Sequence, residues 1–567
     1  MSDMSILHSD VNFVGESPCP IMPPHHWTIF AVSSGPEIEQ SSLDDLMVTL
    51  LISEESHPPE NEDGDDCRYK SEEEAILSDA WATNKMIHGS QSPTTMRTAL
   101  DLAQTFVDQG RYRKAEHTIR ESLVSCRRFS LTDETVVETW RLFGEILHCE
   151  GRYSQSKKLL EKLLHLVTSS SAPRSDCTGR IRANLALTLG GLGLYESAEG
   201  MIRQAIDISH IAGSNVEESC NHMRRLSRIL SERGRWQEAL DTAGEAAVTC
   251  MEALGPVHPE SLACKDEQAW ALSTLAKWED AKSLALQAFE ASAKIRGTEH
   301  PSTIEIAATL SGLYSQMGSL NDSEKLGRWV AQAQKKVLGP EHPTTIISLG
   351  AVGNTLRQLD RLEEAAAIYE EAIGRSTSVL GKEHPLTMNA LMGLSCVLGS
   401  QGKIDESREL NMRILGWSRQ FWGEEHPTTI WALHNICPTD QEEEWNNITK
   451  AVTAANRVFG SEHPTTLYLK VAQVRLLNQR GYPTRAVDLA RDVVKKGVEV
   501  RGEGHPDTIY SIHYLGIALG RSGQVEEAVR ILSRGLELSE NTLGSRHQQS
   551  KRLKYDLEYW RIKSRSA

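Results

Sequence analysis

Imidazole is the side chain best suited to proton transfer and metal ligation near neutral pH, and this chain sets it at regular intervals. Seven His-Pro dipeptides stand in register, with histidines at His258, His300, His342, His384, His426, His463 and His505. Their spacing is 42 residues except for one step of 37, and His547 follows 42 further on. Such an array suggests two chemistries, a ladder of metal ligands or a relay of general bases. Distance argues against both. A period near forty marks stacked helical hairpins, whose helices pack about 8–10 Å apart, whereas the ligands of one zinc each lie about 2 Å from it. The histidines are therefore expected to serve the turns between repeats.

Other reactive patterns are missing from the sequence. It contains no G-x-x-x-x-G-K-[ST], no H-E-x-x-H and no G-x-S-x-G. The glycine-rich run Gly190–Gly193 has no strand before it and reads as a hairpin turn. Ten cysteines are scattered without a C-x-x-C pair, which argues against a zinc site or a redox motif and suggests reduced core thiols. No catalytic, cofactor or metal site is expected, and the chain reads as a non-enzyme; an enzyme with an unrecognised site is the outlying alternative.

Composition narrows the partners. The net charge of −16 is concentrated at one end: residues 1–92 hold 18 acidic side chains against Arg68, Lys70 and Lys85, leaving 59 acidic and 58 basic for residues 93–567. Neither part has the basic surface that a phosphate backbone requires, so nucleic acid is not an expected partner. The longest apolar run, Leu46–Ile52, falls far short of a membrane span of about 18 residues. The first ten residues lack the basic and apolar regions of a secretory signal, and a cytoplasmic location is expected. The acidic arm, with its Pro18–Pro24 stretch and Glu60–Asp66 run, has the composition of a mostly disordered segment. Short helices are conceivable in it at Leu43–Ile52 and Glu72–Ile87.

From Pro93 onward each unit follows one grammar. Proline opens helix A in its first turn, where a missing N–H costs nothing. Two residues later stands Thr303, Thr345, Thr387, Thr429, Thr466 or Thr508, whose hydroxyl can bond local backbone. Eighteen residues after the histidine comes a glycine such as Gly318, Gly402, Gly481 or Gly523, suited to a left-handed helix stop. Helix B then runs to a second glycine three residues before the next histidine, from Gly255 to Gly502. Three earlier units keep the period without His-Pro, with turns at Gly151, Gly193 and Gly234. Pro438, inside the shortened unit, should end helix A near Ile436 and could bend the stack there.

Two columns of small residues, one from Ala103 to Gly516 and one from Ala115 to Ala528, would let helices A and B cross closely. This pattern resembles the tetratricopeptide repeat, and the 42-residue period with L-G-x-E-H-P is similar to its kinesin-light-chain-type variety, in the style of fungal stand-alone arrays. The resemblance implies an all-α fold: a right-handed superhelical solenoid of about eleven helix pairs over 93–546, a disordered acidic arm over 1–92 and a capping helix over 547–567. It also implies a concave groove lined by the residue five after each histidine position. That column ends in Trp431, Tyr468 and Tyr510, an aromatic run suited to anchoring a partner segment, with His434, Asn435, Arg475, His513 and Tyr514 nearby. At its other end the same face carries Arg97, Arg141, Arg180, Arg224 and Arg228, a candidate patch for acidic peptides.

The expected function is thus a protein-interaction scaffold binding extended or acidic peptide segments. The alternative is an accessory, recruiting role in a fungal biosynthetic or immune-like pathway. The arm lacks the heptads with which kinesin light chains hold their motor chain. Of the Asn-Asn pair that clamps peptide backbone in those proteins, only Asn184 and Asn435 stand at the second position. By the same resemblance, the arm could fold onto the groove arginines and compete with ligands. Sequence leaves the partner and the oligomeric state open.

Overall fold

The computed structural model describes residues 72–566 apart from 91, 126–132, 170–174, 213–214, 437–440 and 546. Among these residues the chain is all helix: eleven consecutive A–B pairs, from unit 1 (Pro93–Asp108 with Tyr112–Ser125) to unit 11 (Pro506–Arg521 with Val525–Leu543), flanked by a helix at each end. The final helix, Gln548–Ser566, lies where a cap is expected. The leading helix, Glu72–His88, falls inside the segment assigned to the disordered arm. It packs Leu77 and Trp81 against the core of unit 1, and Glu74 receives Arg111 at 2.7 Å. The repeat architecture thus reaches back to residue 72; the arm's other candidate helix, 43–52, lies outside the described residues.

The grammar of each unit acts through specific bonds. Each His-Pro histidine is the N-cap of its helix, with Nδ1 accepting the backbone N–H two residues on: Thr344 for His342, Leu386 for His384, Thr428 for His426 and Thr465 for His463, at 3.1–3.2 Å. The threonine after the proline donates to the glycine that ended the preceding helix B, as Thr345 does to Gly339 and Thr387 to Gly381. In the small-residue columns, serines bond across the A–B crossing, for example Ser227 to the Ala239 carbonyl and Ser311 to that of Ser323. Unit 9 has a helix A of only nine residues, Pro427–Asn435, as Pro438 requires. The cysteines, scattered in sequence, are less scattered in space: Cys220, Cys250 and Cys264 meet in one buried cluster.

The second imidazole nitrogen makes a contact that no column of the repeat predicts. His342 Nε2 lies 3.2 Å from the carbonyl of Asp108, His384 Nε2 3.1 Å from that of Cys149, and His463 Nε2 3.0 Å from that of Glu232. These contacts join units 7, 8 and 10 to units 1, 2 and 4. His547 likewise sits against the Gly318 turn of unit 6. Six units therefore make one superhelical turn, and successive turns touch along a seam. Aromatic contacts follow the same register, with the Tyr195 ring 6.3 Å from Phe459 and Arg501 over Trp236 at 4.6 Å. Because Nδ1 accepts a backbone N–H, the single ring proton resides on Nε2, which donates across the seam.

Seam glycines carry two demands at once. Gly110 and Gly151 have φ of +70° and +75°, and a Cβ would meet Pro343 Cδ at 2.4 Å and Pro385 Cδ at 2.9 Å. Gly402 has φ of +77° but open space around it. Gly402→Ala should therefore cost only the left-handed strain, about 1–2 kcal/mol. Gly151→Ala should lose about 1–3 kcal/mol more through overpacking. Equal losses in urea denaturation would mean that the seam contributes nothing to stability.

Burial pushes His384 down to about 4 and His463 to about 3, the latter lowered further by Arg501. In the unfolded chain both titrate near 6.5, so as pH falls the unfolded state takes up protons first. Their contribution is complete above about 6.5 and is lost as pH falls towards about 4 and about 3. Two neighbours also titrate. His148 lies beside His384, and burial pushes the Glu232 carboxyl, next to His463, up to about 7, where it acts in the opposite sense. The double variant His384→Asn/His463→Asn keeps a capping side chain but cannot titrate. Its denaturation midpoint should fall less steeply than the wild type's between pH about 6.5 and about 4; parallel curves would refute the assignment.

Candidate partner-binding groove

The aromatic column forms a ladder. Trp431, Tyr468 and Tyr510 project from helix A of units 9, 10 (Pro464–Gln479) and 11, with ring centroids 5.8 Å and then 6.0 Å apart. The two tyrosines are nearly parallel, at 15°. Tyr514 meets Tyr510 edge-on at 5.0 Å, and His434 sits against both Trp431 and Tyr468. All five rings are half-buried, resting on one another with part of each surface open. Tyr468 and Tyr510 line a small cleft together with Leu467, Val471 and Thr508.

The polar neighbours of the ladder are set by their own partners. Burial pushes His434 down to about 4, so it is neutral at neutral pH. Its Nδ1 lies 3.0 Å from Asn435 Oδ1 and donates to it, which leaves Nε2 as an acceptor. The Asn435 carbonyl accepts from Asn411 Nδ2 at 2.8 Å. Arg475 is paired with Glu444. Burial raises Tyr510 well above its ordinary range, so its hydroxyl keeps its proton. His513 is buried, bonded at 2.7 Å to Asp556 of the terminal helix, and its ring lies 5.6 Å from that of Tyr514, so it joins the cap to the ladder. That helix otherwise engages Ile509, Leu532 and the Gly520 surface through Leu553, Leu557 and Trp560.

The arginine end is built differently. Arg141 bonds Glu138 at 2.7 Å and Glu145 at 2.6 Å. Arg180 reaches Glu138 at 3.3 Å, and Arg224 and Arg228 hold Glu260 and Glu267 of the next unit, each at 2.7 Å. Arg97 is the loosest, 62% exposed and 3.6 Å from Asp101. Burial alone would raise Glu145, but Arg141 and Arg225 outweigh it and keep the carboxylate ionised. Further along, burial and then the repulsion of Glu305 push Asp266 up to about 8. Arg180, Arg224 and Arg228 thus pair with carboxylates of neighbouring units, whereas Arg97 and Arg141 pair within their own helices. The arm's expected fold-back onto them concerns residues 1–71, which lie outside the described residues.

One groove-column residue gains significance only from the structure. Asn389, in helix A of unit 8 (Pro385–Ser400), lines a second small cleft with Ile347, Gly350 and Leu386. Its Nδ2 is buried there without a hydrogen-bond partner among the described residues. The column position was legible, but the missing partner was not.

Family comparison agrees with this geometry. Two models, each described as a tetratricopeptide repeat, match residues 135–209 and 352–416, and residues 220–260, 303–344 and 508–549. No curated protein matches the sequence. Among solved structures, two of nearly identical TPR-like repeats from Podosopora anserina share 24% and 23% identity. They cover 35% and 36% of this chain and 94% and 97% of their own, each with a TM-score of 0.32. A Rap protein complexed with Competence and Sporulation Factor shares 10% identity over 76% of this chain and 99% of its own, with a TM-score of 0.39. The family matches fall on helix pairs of units 2–4, 6–8 and 11, and the chain carries tetratricopeptide repeats.

Proposed function

We propose that this protein is an interaction scaffold whose groove seats an extended segment of a partner protein along Trp431, Tyr468 and Tyr510. The observation that carries the reading is the ring ladder, three aromatic side chains from three consecutive units at 5.8 and 6.0 Å spacing. Aromatic rings supply large contact area at little conformational cost and dominate binding energy where they cluster. The small cleft lined by Tyr468 and Tyr510 adds Leu467 and Val471 to the apolar surface along this stretch. His434 Nε2 offers an acceptor for its backbone, and the bare Nδ2 of Asn389 a donor further along. An acidic ligand at the arginine end would have to displace carboxylates already in place, which favours the aromatic end as the principal contact.

Partners captured by the full chain should be identified by cross-linking and mass spectrometry and compared with those of Trp431→Ala/Tyr468→Ala/Tyr510→Ala. Loss of hot-spot rings should weaken binding by about 30-fold or more, with the helical circular dichroism unchanged. Arg97→Ala should leave affinity within about twofold, as expected for an exposed ion pair. A triple variant that retains every partner at wild-type affinity would overturn the reading.

A further inference from the structure

Three cysteines far apart in sequence converge at the junction of units 4 and 5. Cys220 comes from helix A of unit 4 (Val216–Glu232), Cys250 from its helix B (Trp236–Leu254) and Cys264 from helix A of unit 5 (Pro259–Thr274). Their sulfurs all lie within 4.8 Å of one another, with Cys250 and Cys264 at 3.7 Å. All three are fully buried, packed with Met223, Ala246 and Ala247. The repeat does not require sulfur at these positions. Equivalent positions in other units hold Ile304 or Ile346 in place of Cys220, Ser292 or Ser376 in place of Cys250, and Ile306 or Ala390 in place of Cys264. Three independent columns change to cysteine at one junction, and their thiols meet.

We propose that Cys220, Cys250 and Cys264 form a three-thiol binding site for a trivalent thiophilic ion of the arsenous acid class. Charge decides the choice of ion. Three thiolates around Cu(I) carry a net charge of −2, and around Zn²⁺ a net charge of −1 with a fourth ligand still required. An uncompensated charge is costly in apolar surroundings. A trivalent centre with three thiolates is neutral and needs no fourth ligand. Binding is a condensation without change of oxidation state: As(OH)₃ + 3 RSH → As(SR)₃ + 3 H₂O. Each As–O bond is replaced by an As–S bond, and each hydroxide leaves as water with a thiol proton.

The acid is small and uncharged, and among the described residues only the partly exposed Val216 and Leu254, with Ile206, border the cluster beyond its buried residues.

The test uses the full-length, reduced protein titrated with arsenite, read by sulfur-to-arsenic absorbance in the near ultraviolet and by arsenic content after desalting. One tightly held arsenic per chain is expected. Cys250→Ser introduces the residue found at Ser292 and Ser376, so the fold should survive, as circular dichroism would verify. Its arsenite affinity should drop by more than about tenfold with the loss of one ligand, while Cys396→Ser should behave as wild type. Undiminished binding by Cys250→Ser would overturn the site. Stoichiometric Zn²⁺ or Cu(I) that resists displacement by arsenite would overturn the charge argument.

Discussion

An imidazole that uses both of its nitrogens holds the architecture in place. At His342, His384 and His463 the Nδ1 atom caps a helix, and the Nε2 proton bridges to a turn six units earlier. The first bond is local and fixes where helix A begins; the second is remote and fixes the pitch of the superhelix. The cap requires the neutral ring, whose single proton then stands on Nε2 and makes the seam bond. Proline contributes at the same point, since its ring fills the space left by the missing Cβ of Gly110 or Gly151.

The seam changes how the solenoid should be understood energetically. Repeat arrays are usually treated as one-dimensional, each unit stabilised only by its neighbours. Here units 1, 2 and 4 bond directly to units 7, 8 and 10, which couples parts of the chain more than 200 residues apart. The two ends of the groove are also unlike. Salt bridges such as Arg224–Glu260 and Arg228–Glu267 tie adjacent units together in the first half, whereas stacked rings do so at the far end. The rings leave surface open to a partner, while the ion pairs satisfy themselves.

Most of the fold within a unit was legible in the sequence, because a repeated column is a repeated environment. The His-Pro spacing, the Thr after the proline and the two glycine columns each correspond to a bond or a left-handed turn. The aromatic ladder was legible for the same reason: Trp431, Tyr468 and Tyr510 share one column. What stayed hidden depends on sums over many units. The pitch that brings His384 to Cys149 accumulates from small rotations that no single column encodes. The ion pairs of Arg224 and Arg228 required knowing which carboxylate of the next unit faces them. The capture of His513 by Asp556 depended on where the last helix lands. The cysteines escaped because motif spacing is a local criterion, and Cys220, Cys250 and Cys264 belong to three different helices.

A turn of six units has a bearing on how such a chain can change through evolution. In an open array, gaining or losing one repeat merely lengthens or shortens the groove. In this chain, a repeat inserted anywhere between units 1 and 7 would set Gly110 against the wrong cap, and every other seam contact that spans the insertion would shift with it. Duplication is therefore tolerated most easily at the ends or in blocks of six. The five-residue contraction in unit 9 shows the other permitted route, trimming within a unit while the count of units stays in phase.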